Sequence, residues 1–423
     1  MHHNSRTLPP TPSSTDAPAS RPARPTHWLF RLPAVRRACE RIRHGHLDLT
    51  LPDGSTAVLG GALPGPKAAL HLHRWRPLLR LAMEGDLGLA FSFRDGDWTT
   101  PDLTELLSFG IANESALSSQ GRARGPARWL GLLLHRAKAN TRRRSRDNIS
   151  AHYDLGNRFY EQWLDSTMLY SSAVFEADGA PLAATLEEAQ ERRLERIVSL
   201  LDASKGQRVL EIGCGWGTLA ATLAKRCDAE VVGLTLSTEQ LAFAQARARD
   251  WQVQDRVDLR LQDYRDVDGQ FDRIVSIEMI EAVGEAFWPV YFQTLKNRLK
   301  PGGSAVIQAI TIDEAHFEAY RSSPDFIQRC IFPGGMLPTP ERMAAHARQV
   351  GLSFSTDLRF GRDYARTLAE WRHRFLAQWP SIEALGFDLP FKRIWEYYLC
   401  YCEAGFLAGR VDVGLYRLER PAD

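Results

Sequence analysis

From residue 208 onward the chain alternates short apolar runs with amphipathic stretches, and the first alternation turns on three glycines in RVLEIGCGWG (208–217). No other feature constrains the fold as much. Strands separated by helices pair in parallel, because a parallel connection needs a crossover long enough to return over the sheet. RVLEI (208–212) reads as a buried strand and TLAATLAKR (218–226) as the helix after it. AEVVGLT reads as a second strand, and STEQLAFAQARARD as a helix opening at a Ser/Thr cap, with Glu239 and Gln240 in its first turn. RVDLRLQ and DRIVSI supply a third and a fourth strand; a helix over about 285–299 precedes the turn KPGG and a fifth strand, SAVIQAIT. GRVDVGLYRLER alternates like a last strand returning antiparallel. The expected fold class is α/β, an open, doubly wound and mostly parallel sheet.

Gly213, Gly215 and Gly217 stand where the first strand becomes its helix. Small residues there let the backbone approach a ligand at the carboxyl edge of the sheet, although a glycine turn also serves tight helix–strand packing. The spacing G-x-G-x-G departs from the dinucleotide fingerprint G-x-G-x-x-G, and Glu211 lies inside the strand just before it. The second strand ends in GLTLS, with no acid placed to hold a ribose. The loop resembles the S-adenosylmethionine (SAM) loop of class I methyltransferases, in which Glu211 would anchor a network near the methionine ammonium.

The 423 residues suffice for more than one domain. Four segments are expected: a Pro/Ser/Thr-rich disordered tail over 1–34, a small N-terminal α+β domain associated with lipid over 35–120, a basic linker over 121–150, and a catalytic domain over 151–423. In the small domain GHLDLTLPDGS reads as strand and turn, and GDLGLAFSFRDGDW as a further alternating stretch. Residues 1–150 carry 22 Lys/Arg against 12 Asp/Glu, whereas the remainder is acidic. Nine basic residues and no acid fall between Arg122 and Arg146, which suits either a solvated linker or an anionic partner, nucleic acid or phospholipid. The six cysteines show neither zinc spacing nor disulfide density and read as reduced. No metal site is expected. The N-terminus lacks a signal-peptide h-region, so the expected location is cytoplasmic.

One stretch resists a purely structural reading. IVSIEMIEAVG (274–284) is apolar enough to be buried yet carries Glu278 and Glu281. A buried carboxylate is costly unless it is paired or used.

Five motifs in order supply a context: SRDNISAHYDLGNRFYEQWLDSTMLYSSAVF (145–175), VVGLTLSTEQ, DYRDVDGQFDRIVSIEMIEAVG, IFPGGMLPT and GRDYARTLAEW. Together they resemble the cyclopropane-fatty-acyl-phospholipid synthase family, which includes the mycolic-acid-modifying enzymes, over roughly 40–418. The resemblance implies a class I, Rossmann-like seven-stranded sheet and SAM as cofactor. Contacts to SAM are implied at Tyr170, Ser171, Gly213, Gly215, Thr235, Gln240, Asp263 and Tyr264, and Gly217 and Glu211 complete the loop. Asp263 would accept from the adenine amino group and Tyr264 would cover the adenine face. The alkene of an unsaturated acyl chain would attack the sulfonium methyl. A base would then remove a proton to close a three-membered ring.

In the family that base is a bound bicarbonate, held by a Glu, a Tyr, a Cys and a His. Glu281 and Tyr364 stand at the Glu and Tyr positions here, and Glu278 is assigned to the neighbourhood of the cofactor. Two positions depart from the pattern: Ser172 replaces the Cys and Gln308 the His. Both can still donate to an anion, but the His-to-Gln change removes a cationic option. Cyclopropanation of cis-unsaturated phospholipid acyl chains is thus the leading expectation, with methyl or methylene branching of the same chains as the alternative. A small-molecule N-methyltransferase and a non-catalytic SAM-sensing lipid-binding protein are further alternatives. The Asn/Asp-Pro-Pro-Tyr clamp of nucleic-acid methyltransferases is absent, so no nucleic-acid partner is expected. The implied partners are phospholipid at the inner face of the membrane, approached peripherally, and a second copy in a homodimer. His152 and Tyr153 read equally as cleft lining or as a helix start. Tyr398 and Tyr401 lie on an amphipathic stretch (391–406) from which they could reach the acyl chain.

Overall fold

A computed structural model describes residues 27–121, 155–176 and 182–422. The basic run between Arg122 and Arg146, His152, Tyr153 and the first 26 residues lie outside the described residues.

Seven strands build the large sheet: β5 (Arg208–Ile212), β6 (Glu230–Thr235), β7 (Val257–Leu261), β8 (Phe271–Ile277), β9 (Leu299–Ile312), β10 (Ser353–Arg359) and β11 (Val411–Glu419). Their order is β10-β11-β9-β8-β5-β6-β7. β5 to β9 pair in parallel, while β11 runs antiparallel between β9 and β10. The alternation after 208 and the returning last strand therefore have the expected form. The central strands carry continuous apolar runs because helices cover both faces, and Val209, Leu210, Ile274, Val275, Val306 and Ile307 are fully buried. Each such side chain contributes about 1.5–3 kcal/mol on burial.

Four further strands precede this sheet: β1 (His44–Thr50), β2 (Thr56–Gly60), β3 (Leu63–Leu72) and β4 (Trp98–Thr99), in the order β2-β1-β3-β4. The segment GDLGLAFSFRDGDW departs from its reading as an alternating strand, since Asp86–Arg94 is α-helical. Leu87, Gly88, Ala90, Ser92 and Phe93 are all buried there, so hydrophobicity wraps the helix and its period is hidden. Phe93 packs on Trp98 with ring centroids 4.7 Å apart.

Two long helices join the halves. Gly361–Ala377 and Leu389–Leu407 pack on each other, and Leu103–Ala112 packs on the second of them. Thr104 Oγ1 donates to Glu403 Oε2 at 3.0 Å across that junction. Among the described residues no helix is long and apolar enough to cross a membrane.

Candidate active site

The three glycines of the first turn have separate tasks. Gly213, Gly215 and Gly217 have φ of 84°, 53° and 81°, where an L side chain is strained. A Cβ on Gly217 would lie 2.7 Å from Ala244 Cβ, so this glycine lets the helix Thr218–Cys227 pack against Thr238–Asp250. A Cβ on Gly215 would meet nothing within 4 Å, so this glycine faces open space at the carboxyl edge of the sheet. Beside it, Thr235 Oγ1 donates to Gln240 Oε1 at 2.9 Å at the end of β6, with both residues buried.

Glu211 is buried in β5, and its Oε2 has no hydrogen-bond partner among the described residues. Desolvation pushes its pKa up to about 8, opposed by the amide of Ala220 and the charge of Arg193. An orphaned carboxyl oxygen next to an open glycine cradle fits a cofactor carrying an ammonium group. The chain's own candidates to hold SAM are therefore the Gly213–Gly215 backbone, Glu211, Thr235 and Gln240.

Two adenine contacts are placed differently from expectation. Arg265 engages both oxygens of Asp263, at 2.8 and 2.6 Å. Tyr264 is turned into the core against Tyr291, with ring centroids 5.7 Å apart. Tyr170 is wedged among Tyr160, Trp163 and Trp371 and shares a 2.8 Å hydrogen bond with Tyr398. Ser171 lends its carbonyl to Gln190 Nε2 at 2.9 Å.

The most informative geometry lies one residue beyond β8. Glu278 adopts φ 48°, a left-handed turn that ends the strand, and its carboxylate collects three donors. Oε1 accepts from Ser172 N at 2.9 Å and from Gln308 Nε2 at 2.6 Å, and Oε2 accepts from the Tyr364 hydroxyl at 2.7 Å. Ser172, Gln308 and Tyr364, expected around Glu281, thus converge on Glu278. Ser172 contributes its backbone amide, and its hydroxyl donates to Ala173 O instead. The loop bearing it is stitched to the helix carrying Tyr364: Thr367 Oγ1 accepts from Ala173 N, and Asp363 Oδ2 from Phe175 N.

Glu281 is differently occupied. Its Oε1 accepts from Ile310 N, its Oε2 is buried without a partner among the described residues, and its carbonyl accepts from Met336 N at 2.8 Å. Desolvation and then the charge of Glu278 push its pKa up to about 8. Glu278 is also raised by desolvation, but the Ser172 amide, Tyr364, Gln308 and Arg193 all oppose the rise. The pair is therefore unequal: Glu281, with one backbone donor, is pushed up to about 8, whereas the rise at Glu278 is opposed by three donors and a guanidinium.

Arg193 is a member of this buried cluster that the motifs did not single out. It is fully buried on the helix Leu186–Leu201, donates to Gln190 Oε1 at 3.0 Å, and reaches Gln308 Oε1 at 3.4 Å. Gln308 thus bridges Arg193 to Glu278. The signal was present, because Arg193 falls on the stripe of Leu186, Ala189, Leu194 and Ile197, where a charge needs a reason. Aromatic rings back the Tyr364 side of this cluster: Tyr364 stacks on Phe406 at 4.5 Å, and Trp371 stands edge-on to it at 6.1 Å. A Cβ on Gly213 would lie 3.2 Å from Met279 Cγ, which brings the acid turn against the cofactor loop.

The raised carboxyls have a measurable consequence. Glu211 and Glu281 each have a folded pKa of about 8 against an ordinary 4.5. The unfolded chain releases these protons first as pH rises, so their contribution to stability is complete below about 4.5 and is lost through about 8. Thermal melts across that window should show Tm falling with pH, and Glu281→Gln should flatten the slope. An unchanged slope would mean that Glu281 is ionised in the fold.

A seven-stranded sheet with an open glycine cradle at its carboxyl edge and a half-buried, three-donor carboxyl group beside it defines a class I SAM-dependent methyltransferase. Residues 140–415 match the family model for mycolic acid cyclopropane synthetase, and the chain belongs to that family. It is 38% identical over 384 residues to the tuberculostearic acid methyltransferase UfaA1 of Mycobacterium tuberculosis, covering 89% of this chain and 88% of that one. It is 36% identical over 339 residues to the cyclopropane-fatty-acyl-phospholipid synthase of Escherichia coli, covering 79% and 83%. The structure of mycolic acid cyclopropane synthase CmaA1 complexed with SAH and CTAB superposes with a TM-score of 0.59 at 29% identity, over 65% of this chain and 98% of that one. The chain is accordingly a SAM-dependent transferase of the cyclopropane synthase type.

Proposed function

We propose that this enzyme adds a one-carbon unit from SAM across the cis double bond of an unsaturated phospholipid acyl chain and closes a cyclopropane ring. The observation that carries the reading is the three-donor carboxyl group of Glu278, set beside the Tyr364 and Trp371 rings near the glycine loop. Bound SAM supplies an electrophilic methyl carbon. An alkene is an uncharged, weak nucleophile, so the site must exclude water and stabilise positive charge as it develops on the chain carbons. The stacked Tyr364–Phe406 pair and Trp371 present π-faces for that charge, and the nearby carboxylate adds electrostatic stabilisation.

Access from a membrane surface is supported by the N-terminal segments. Trp28 and Leu79 are 57% and 59% exposed, and Leu32, Trp75, Leu81 and Met83 are exposed with them. Trp28 and Trp75 pack 6.2 Å apart. Exposed Trp and Leu side chains with Arg31 and Arg37 in the same stretch suit the headgroup boundary of an anionic bilayer. These features support a peripheral association with the inner face of the membrane.

A second reading, methyl or methylene branching of the same acyl chain without ring closure, is favoured by one observation. A relative covering most of the chain carries the name tuberculostearic acid methyltransferase. Incubation with SAM and vesicles of cis-unsaturated phospholipid, followed by chromatography and NMR of the released fatty esters, separates the two. A ring methylene is the expected product. An unmodified acyl chain would defeat both readings.

A further inference from the structure

We propose that Glu278 is the resident base of this enzyme, standing where an external bicarbonate would otherwise have to bind. The inference rests on the lipid-modifying reading above and concerns which atom takes the proton.

The residues present do not fit a bound bicarbonate. An anion held by the backbone at Ser172, by Gln308 and by Tyr364 would need their donors free. Each of those donors already ends on Glu278, at 2.9, 2.6 and 2.7 Å respectively. Two carboxylate oxygens collecting three directed donors reproduce what a bicarbonate would offer them: planar, delocalised and singly negative. A second anion in the same space would face an uncompensated charge in a desolvated site.

The backbone explains how the side chain comes to be there. Glu278 follows the last residue of β8 in a left-handed turn, φ 48°, while its amide donates to Gln308 O at 2.8 Å. A residue other than glycine is uncommon in that region, and strain at such a position is held only where the surroundings over-determine it. The turn aims the carboxylate across the mouth of the sheet toward the helix that carries Tyr364.

Neighbouring groups favour the charged form of this carboxylate and oppose the rise that desolvation causes. The Arg193 guanidinium lies behind Gln308 and orients its amide, with Oε1 toward Arg193 and Nε2 toward Glu278. Glu281, the other nearby carboxyl, is held protonated and does not compete for protons at neutral pH.

The step balances. Once the new carbon is attached, the neighbouring chain carbon is cationic. Glu278 takes a proton from the newly attached carbon, and the electron pair of that C–H bond forms the third side of the ring. The cation is thereby neutralised, and the carboxyl holds the proton until it exchanges with solvent. No oxidant, reductant or added anion is needed.

The test compares the wild-type chain, Glu278→Gln and Glu278→Gly, each with and without bicarbonate in carbonate-depleted buffer. Three readouts apply: lipid product, SAM affinity by calorimetry, and binding of 13C-bicarbonate by NMR. Wild type should turn over equally without bicarbonate and show no bound label. Glu278→Gln should keep SAM affinity and lose about a hundred- to ten-thousandfold in turnover. Glu278→Gly, whose backbone suits φ 48° without strain, should bind the label and regain turnover as bicarbonate is added. Wild-type turnover that collapses on carbonate depletion, label bound by the wild type, or near-normal turnover in Glu278→Gln would overturn the assignment. If no variant modifies lipid under any condition, the functional reading fails, while the contrast in label binding between wild type and Glu278→Gly still judges this one.

Discussion

Gly215→Val is expected to abolish SAM binding, weakening affinity by more than about a hundredfold, in a protein that remains folded. Two physical effects combine. At φ 53° a β-branched residue carries about 1–3 kcal/mol of backbone strain. The isopropyl group also projects into open space, with no protein atom within 4 Å of its Cβ, where a ligand must approach the backbone. The same absence of neighbours means that the core is not disturbed. Gly217→Ala is the informative contrast, since its Cβ collides with Ala244 and should lower Tm before it changes affinity. Calorimetry on both separates the two roles. Unaltered SAM affinity in folded Gly215→Val would place the cofactor elsewhere.

Arg193→Met should produce the second large effect, a loss of turnover of roughly ten- to hundredfold near neutral pH. The methionine preserves much of the buried volume but removes the cation. Glu278 is then left with Tyr364, Gln308 and the Ser172 amide as donors and with Glu281 as an ionisable neighbour, and its pKa rises further. Because turnover needs the ionised carboxylate, the acid limb of the kcat profile should move to higher pH, with partial recovery in alkaline buffer. SAM affinity should change little. A limb that stays in place would make Arg193 a packing residue only.

Much of this architecture was legible in the chain, and the reasons differ by element. β5, its glycine turn and the following helix declare themselves because a fully buried strand has no polar alternation to blur it. The returning β11 was legible from the alternation of its residue types, although Val413, Gly414, Leu415 and Tyr416 are all buried. The helix Asp86–Arg94 was not, because burial on all sides erases the period on which the reading depends. Ser172, Gln308 and Tyr364 come from three distant segments, and only the family resemblance could assemble them before the fold did.

At the centre of the site the motifs and the geometry single out different acids. Glu278 and Glu281 lie three residues apart, and alignment of motifs selects Glu281. What decides between them is where β8 ends and the left-handed turn that follows, a backbone property that residue types alone do not reveal. That turn sends Glu278 toward Tyr364 and leaves Glu281 against the Ile310 amide. Ser172 taught a related lesson: the carboxylate is bound by its amide, so the side chain that differs from the family pattern is not the donor.

The account stands most directly on the fate of the transferred carbon. With SAM bearing a trideuterated methyl group and vesicles of cis-unsaturated phospholipid, one deuteron should be lost to the site and two retained on a ring carbon of the acyl chain. NMR and mass analysis of the isolated fatty ester read both. A product that keeps all three deuterons, or an acyl chain that acquires none, would contradict it.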